Sequence, residues 1–430
     1  VLICDQQRLE QTLEHLDELP EMQLVGVRLS GGIPADVTPW QELLTTGGEL
    51  PAVDIDPDSD ACIFYTSGTT GHPKGAELTH RGCVTNLMNM AFWATCLTTI
   101  GQRNGTVPIP EEGAPPPDTA ALVTTPLFHV TANNCIAYSI TAGGGKLVFM
   151  YKWDATKALE LVERERITVL SGVPVMSREL ISHPDFAKYD TSSLLSLGGG
   201  GAQLQPDLVS KIDEAVATAR PNTGYGMTET CGIITSISAD FFIDKPESCG
   251  PAMPSFEAKT VDADGNALQP GEIGELWVRG ASVIRGYLNR PEATAETITD
   301  GWLHTGDIAR IDEDGFIYIV DRAKDMVLRG GENVYCAEVE SALYEHPAIA
   351  ECIVFGVPDD RLGEEVGAAI FLKADEQANA DTVRAHCRER ISAHKVPRYL
   401  WFTTEPLPRN ANGKFLKREL RDTLDPTLAA

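Results

Sequence analysis

The chain has 430 residues, 43% hydrophobic and 23% charged, with a formal net charge of −27. That length gives room for two or three domains and a large core, and no apolar run is long enough to span a bilayer as a helix. The acidic balance, without any cluster of Lys and Arg, argues against nucleic acid as a partner, because phosphate backbones are held by grouped cations.

The opening Val1-Leu2-Ile3-Cys4 lacks the basic flank and long apolar stretch of a signal peptide. It reads as a strand already under way, and without an initiator Met it leads us to expect further chain upstream. Residues 24–29 and 61–65 are strand candidates. Thr79 is a candidate cap for a helix with Val84, Leu87, Met88 and Ala91 on one face. Residues 101–118, rich in Pro, Gly and Glu, read as a mobile surface loop. Apolar runs at 120–124, 146–150 and 168–170 alternate with helical patterns such as 156–166. This alternation predicts an α/β fold of stacked, mainly parallel sheets covered by helices.

From about Phe256 the strands become short and alternating, with turns at Asp264-Gly265 and Asp314-Gly315. A small β-barrel-like subdomain over 256–320 is expected, closing a large domain of residues 1–320. A charged joint, 321–325, follows. Residues 326–430 then mix helices (near 337–344 and 382–391) with strands (near 349–355 and 367–372), as a compact α+β domain does. The ten cysteines include no C-x-x-C pair, so neither a zinc site nor a disulfide framework is indicated. Thiols in a reducing cytoplasm are the expectation.

The segment with most chemistry is Tyr65-Thr66-Ser67-Gly68-Thr69-Thr70-Gly71-His72-Pro73-Lys74-Gly75, set between a strand and a helix. Its glycines permit close backbone approach, its hydroxyls and N–H groups can surround phosphate oxygens, and Lys74 adds a charge. It is not a Walker A loop, since Pro73 and Gly75 stand where that motif needs Gly and Ser or Thr. It resembles the phosphate-binding signature of the adenylate-forming superfamily, which includes acyl-CoA synthetases, luciferases and the adenylation domains of peptide synthetases.

The superfamily's other motifs follow in order. The resemblance implies that His129, in Pro126-Leu127-Phe128-His129, lines the acyl pocket and thiol tunnel. It gives Gly200, Gly201 and Ala202, at the end of a glycine run from Gly198, to the nucleotide and the pocket wall. In Tyr225-Gly226-Met227-Thr228-Glu229, Tyr225 offers a ring to adenine, Thr228 a contact to the α-phosphate, and Glu229 a hard carboxylate for Mg²⁺. Asn222 stands three places before Tyr225, one further than the base-contacting Asn of some relatives. Gly301-Trp302-Leu303-His304-Thr305-Gly306-Asp307 resembles the ribose motif, with Asp307 the acceptor and Arg322 beside it. Lys324 occupies the hinge position. Gly330 and Gly331 resemble the loop that closes over the pantetheine arm of coenzyme A. Asn412-Gly413-Lys414 resembles the tail motif that carries the catalytic lysine.

The resemblance therefore implies an ATP-, Mg²⁺- and CoA-using carboxylic acid ligase with a mobile C-terminal domain. It also implies that one N-terminal subdomain's worth of sequence precedes Val1. The unobstructed glycine run and apolar neighbours such as Phe128, Val130 and Val173 favour a hydrophobic acid, fatty or aromatic, with fatty preferred. An adenylation domain that loads a carrier protein, and an inactive nucleotide-binding module, are the alternatives. A hydrolase is disfavoured because no G-x-S-x-G elbow occurs. The sequence leaves a homodimer open.

Overall fold

The computed structural model describes residues 1–19, 21–45, 47–49, 51–66, 73–111, 117–201, 204–374, 376–410 and 413–430. They form two compact units, Val1–Ile55 and Asp56–Ala430. In the first, strands Leu2–Cys4, Leu24–Gly26 and Val37–Pro39 pair in parallel. Helix Gln6–Leu13 starts where the Asp5 carboxylate accepts from the Arg8 N–H. Cys4, Leu9, Leu24 and Val37 make its core. The strand expected over 24–29 ends at Gly26, and Arg28 turns the chain with φ of 53°.

The second unit is built on three main sheets. A six-stranded sheet runs Gly232–Ser238, Arg220–Met227, Ser196–Gly200, Val169–Gly172, Ala120–Val123, Lys146–Phe149 in spatial order. All its pairings are parallel except the first. Crossover helices supply the rest of its core. Ala155–Glu165 buries Ala158, Leu159, Leu161 and Val162 on one stripe, and Asp154 caps it by accepting from the Lys157 N–H. These side chains meet Leu170, Leu197, Leu208 and Ile212 in one large cluster, where each fully buried aliphatic side chain contributes about 1.5–3 kcal/mol.

The second sheet is antiparallel, in the order Gly250–Pro251, Phe316–Arg322, Trp302–Ile311, Gly274–Gly280, Phe256–Val261, with Ile298–Thr299 added to Trp302–Ile311. It covers the span read as barrel-like, and no pairing closes its two end strands on each other among the described residues. Its Phe316–Arg322 strand runs into the segment read as a joint, with Arg322 paired in register with Asp307. The third sheet runs Glu332–Val334, Val327–Arg329, Gly363–Leu372, Ile349–Asp359, and Tyr399–Thr403 also pairs with Gly363–Leu372. Helices Cys336–Tyr344 and Ala380–Arg388 complete its own apolar cluster around Val339, Val354, Val366 and Val383.

Of two sequence readings, one is completed and one corrected. Thr79 does cap helix His80–Arg103, accepting from the Gly82 N–H at 3.0 Å. The face with Val84 and Met88, however, is exposed, at 56% and 62%. The buried face carries Cys83, Asn86 and Asn89 instead, because Asn86 bridges the Asn134 carbonyl and the Ile233 N–H and Asn89 reaches Ser255. The loop read over 101–118 begins later, since the helix continues to Arg103; residues 112–116 lie outside the described ones.

Candidate active site

A two-stranded hairpin is formed by Asp60–Thr66 and Lys74–Thr79, the strands on either side of the glycine-rich segment in sequence. Thr66 and Lys74 are register partners at its mouth, and the Thr66 hydroxyl donates to the Lys74 carbonyl at 3.4 Å. Ser67, Gly68, Thr69, Thr70 and Gly71 lie outside the described residues, as do Ala202 and Asn412. The Lys74 ammonium sits 4.8 Å from the centre of the Tyr287 ring. The Tyr287 hydroxyl in turn donates to Glu229 Oε1 at 2.8 Å. Tyr287 thus couples the loop's cation to the buried carboxylate, and the Tyr287 pKa is raised by burial and by the Glu229 charge. No motif announced Tyr287; only its place after Gly286, in a stretch otherwise without chemistry, could have drawn the eye.

Thr228 and Glu229 open a tight turn, Thr228–Thr230, fixed by the Thr230 hydroxyl against Met227 and Gly232. Just upstream the strand carries a bulge between Tyr225 and Gly226. Gly226 is pressed against the neighbouring strand, where a Cβ would fall 2.0 Å from the Gly232 carbonyl oxygen. The Tyr225 hydroxyl donates to Asp307 Oδ2 at 2.5 Å, while Arg322 Nε approaches Asp307 Oδ1 at 3.3 Å. Burial and the Asp307 charge push the Tyr225 phenol well above its usual range, so it stays the donor. Asn222 is committed elsewhere, donating to Ser196 Oγ at 2.7 Å.

The glycine run is not uniform. A Cβ on Gly198 would stand 2.1 Å from the Asn222 carbonyl, and one on Gly199 would press Leu204 and Pro174, so both are demanded by packing. A Cβ on Gly200 would meet nothing nearer than 4.0 Å. Gly200 instead lines a small cavity of about 10 Å³ with Thr125, His129, Thr131, Val173, Gly201 and Lys414. The Thr125 hydroxyl is buried there without a hydrogen-bond partner among the described residues. Phe128, read as a pocket wall, is 61% exposed, and Val130 packs into a separate core cluster. Of the three apolar neighbours, Val173 alone faces the cavity.

Lys414 comes to this cavity from the far end of the chain. A Cβ on Gly201 would lie 3.5 Å from Lys414 Cε. Burial, with Arg322 nearby, lowers the pKa of the Lys414 ammonium, while Asp307 and Glu229 pull it back up. Those three side chains are therefore within electrostatic reach of the tail lysine. His129 is held neutral over most of the pH range, its pKa lowered to about 4 by burial and by Lys414. Its Nδ1 accepts from the Thr131 N–H at 3.2 Å, which leaves Nε2 to carry the proton. Lys324 is lowered by burial and by Arg322, against the pull of Asp325 and Asp307. Gly330 and Gly331, with φ of 62° and 87°, turn the hairpin between Val327–Arg329 and Glu332–Val334. They are not among the residues around the cavity.

The sequence pattern of the AMP-binding enzyme family matches residues 1–288, and that of the AMP-binding enzyme C-terminal domain matches 338–414. The chain belongs to the AMP-binding enzyme family. This AMP-binding enzyme is 39% identical over 390 residues to a feruloyl-CoA synthase of Amycolatopsis sp, covering 88% of this chain and 74% of the relative. It is 37% identical over 369 residues to a long-chain-fatty-acid–CoA ligase of Bacillus subtilis (strain 168), covering 85% of this chain and 62% of that one. Among solved structures it is similar to ATP-bound MatB from Rhodopseudomonas palustris, with a TM-score of 0.81 and 28% identity, covering 98% of this chain and 78% of that one. It is also similar to o-succinylbenzoate CoA synthetase (MenE) from Bacillus subtilis in complex with ATP and magnesium ion, with a TM-score of 0.73 and 30% identity, covering 90% and 75%. The AMP-binding enzyme is thus an AMP-forming acid–thiol ligase of the acyl-CoA synthetase branch. None of its helices is long and apolar enough to cross a membrane, among the described residues.

Proposed function

We propose that the chain is an ATP-dependent carboxylic acid–CoA ligase acting on a fatty or other hydrophobic acid. The observation that carries this reading is the arrival of the buried Lys414 beside Gly201 at the same cavity as His129, within electrostatic reach of Asp307 and Glu229. In the first half-reaction a carboxylate oxygen attacks the α-phosphorus of ATP. The bond to pyrophosphate breaks, and its electron pair leaves with that group. No general base is required, because the acid is already ionised at neutral pH.

The protein's task is positioning and charge stabilisation. Lys414 bridges the acid's carboxylate and the α-phosphate. Thr66 and Lys74, with the loop between them, hold the departing pyrophosphate. Tyr225 stacks on adenine, Asp307 and Arg322 bind ribose, and Thr228 touches the α-phosphate. Glu229 is a buried oxygen donor supported by the Tyr287 hydroxyl, which fits a Mg²⁺ ion shared with substrate phosphates. Bound there, the ion would neutralise triphosphate charge.

In the second half-reaction the CoA thiol loses its proton to solvent, its sulfur attacks the acyl carbonyl carbon, and the bond from that carbon to the phosphate oxygen breaks, so that AMP leaves with the electron pair. Lys414 fills part of the approach, so residues 326–430 rotate about Lys324, withdraw Lys414 and present Gly330 and Gly331 to the pantetheine arm. His129, neutral at the cavity wall, lines the thiol's path. Of the side chains lining the cavity Val173 alone is aliphatic, so the reading of a hydrophobic acid rests on the feruloyl and long-chain fatty acyl relatives. The ten free cysteines agree with a cytoplasmic setting. The test is pyrophosphate release with ATP, Mg²⁺ and a panel of ferulate, 4-coumarate, octanoate and palmitate, with and without free CoA. Pyrophosphate with at least one acid, and its thioester when CoA is present, is expected. Adenylate formation without transfer to free CoA would favour a carrier protein as acceptor.

A further inference from the structure

The tail loop that delivers Lys414 is held from behind by an ion pair outside the site. Arg409 and Phe415 are antiparallel bridge partners on either side of the loop, and the Arg409 guanidinium lies 3.8 Å from the centre of the Phe415 ring. Arg409 Nη1 donates to the Gly413 carbonyl and Nη2 donates to Glu351 Oε1, each at 2.9 Å. Glu351 belongs to strand Ile349–Asp359 of the third sheet, and its Oε2 accepts from the Leu407 N–H at 2.7 Å. Within the loop, the Asn410 N–H donates to the Lys414 carbonyl at 2.8 Å, and the Lys414 N–H donates to Asn410 Oδ1 at 3.0 Å.

The contact to Gly413 matters because of what Gly413 is. Its φ is 77°, and without a Cβ nothing intrinsic fixes the peptide that joins it to Lys414. The orientation of that peptide sets where the lysine side chain points. Arg409 holds its carbonyl oxygen and Asn410 Oδ1 accepts from its N–H, while Glu351 anchors Arg409 to a core strand. A planar guanidinium can bind both acceptors at once, which a single ammonium on a shorter reach cannot do as well. Neither Arg409 nor Glu351 lines the cavity.

We propose that Arg409, anchored by Glu351, is the positioning residue that aims Lys414 into the adenylation site. This rests on the reading of Lys414 given above, and the experiment separates the two. In the full chain, Arg409→Gln lowers kcat for acyl-adenylate formation from dodecanoate or ferulate by roughly 10²-fold, the usual cost of a small misplacement. KM for ATP, and thioester formation from the supplied dodecanoyl or feruloyl adenylate, change by less than about twofold. Arg409→Lys restores little. In a Lys414→Ala background, Arg409→Gln has no further effect on adenylation, because the group it positions is gone. Equal losses in both half-reactions, or a loss that multiplies that of Lys414→Ala, would overturn the proposal. Full adenylation by Lys414→Ala alone would overturn the underlying reading instead. Hydrogen exchange supplies a readout that needs no turnover. The Gly413 and Lys414 amides should exchange about tenfold or more faster in Arg409→Gln, with strand Ile349–Asp359 unchanged; unaltered exchange at those two amides would also overturn it.

Discussion

A β-carbon on Gly413 would stand 2.9 Å from Val173 Cγ2, so the tail loop and the wall of the cavity meet at a point where only glycine fits. Gly413 also holds a φ of 77°, where a side chain costs about 1–2 kcal/mol. Gly413→Ala should therefore push Lys414 out of the cavity. The expected result is a loss of adenylation much larger than any loss of thioester formation from supplied acyl adenylate, with a fall in unfolding free energy of about 1–2 kcal/mol in urea. Normal adenylation would mean that this contact does not govern how the lysine enters.

The pairing of Tyr287 with Glu229 gives a second test. Tyr287→Phe removes the hydroxyl that donates to Glu229 Oε1 and leaves a buried carboxylate short of a partner, at a cost of about 1–3 kcal/mol. The Mg²⁺ concentration needed for half-maximal pyrophosphate release should rise. Glu229→Gln should be more severe, lowering the rate roughly 10²–10³-fold. A magnesium titration of both variants would show whether they fall in that order.

Asp307 is buried, with the Tyr225 hydroxyl on one oxygen and Arg322 near the other. If it binds ribose, Asp307→Asn should raise KM for ATP more than it lowers kcat. The wild type should lose about tenfold in kcat/KM on 2′-deoxyATP, the worth of one hydrogen bond to a charged group. The variant should lose little more. Equal discrimination by both proteins would remove Asp307 from the ribose.

His129 predicts a pH effect on stability. Its folded pKa is lowered to about 4 from a usual 6.5, by burial and by Lys414. The unfolded chain thus binds more protons between those values, and stability is complete above pH 6.5 and lost as pH falls towards 4. The slope from this one group is at most ~1.4 kcal/mol per pH unit. His129→Asn should flatten the urea midpoint over that window. Lys414→Ala should raise the folded histidine pKa toward 6.5, so the loss should become smaller and be complete at a higher pH. An unchanged profile in His129→Asn would show that other groups set the acid limb.

Elements that buried a continuous apolar stripe were legible. Helix Ala155–Glu165, with its Asp154 cap, falls within one residue of the pattern that announced it. Helix His80–Arg103 was found with its Thr79 cap, but the apolar face that announced it does not show which side is buried, since the buried side uses Asn86 and Asn89, each satisfied by a partner far along the chain. A count of apolar residues cannot register a buried amide whose hydrogen bonds are made in three dimensions. The same limit hid Tyr287 and Arg409, each paired with a carboxylate 58 residues earlier in sequence. The residues assigned to the site from sequence were those in short motifs, where several reactive types crowd into a few positions.

Lys414→Ala, assayed separately for adenylate formation and for thioester formation from a supplied acyl adenylate, tests the central claim most directly. Loss of a preorganised charge of this kind costs about 2.7–4 kcal/mol, so the first reaction should fall roughly 10²–10³-fold while the second is spared. Equal loss in both, or none in the first, would contradict the role given to the tail lysine.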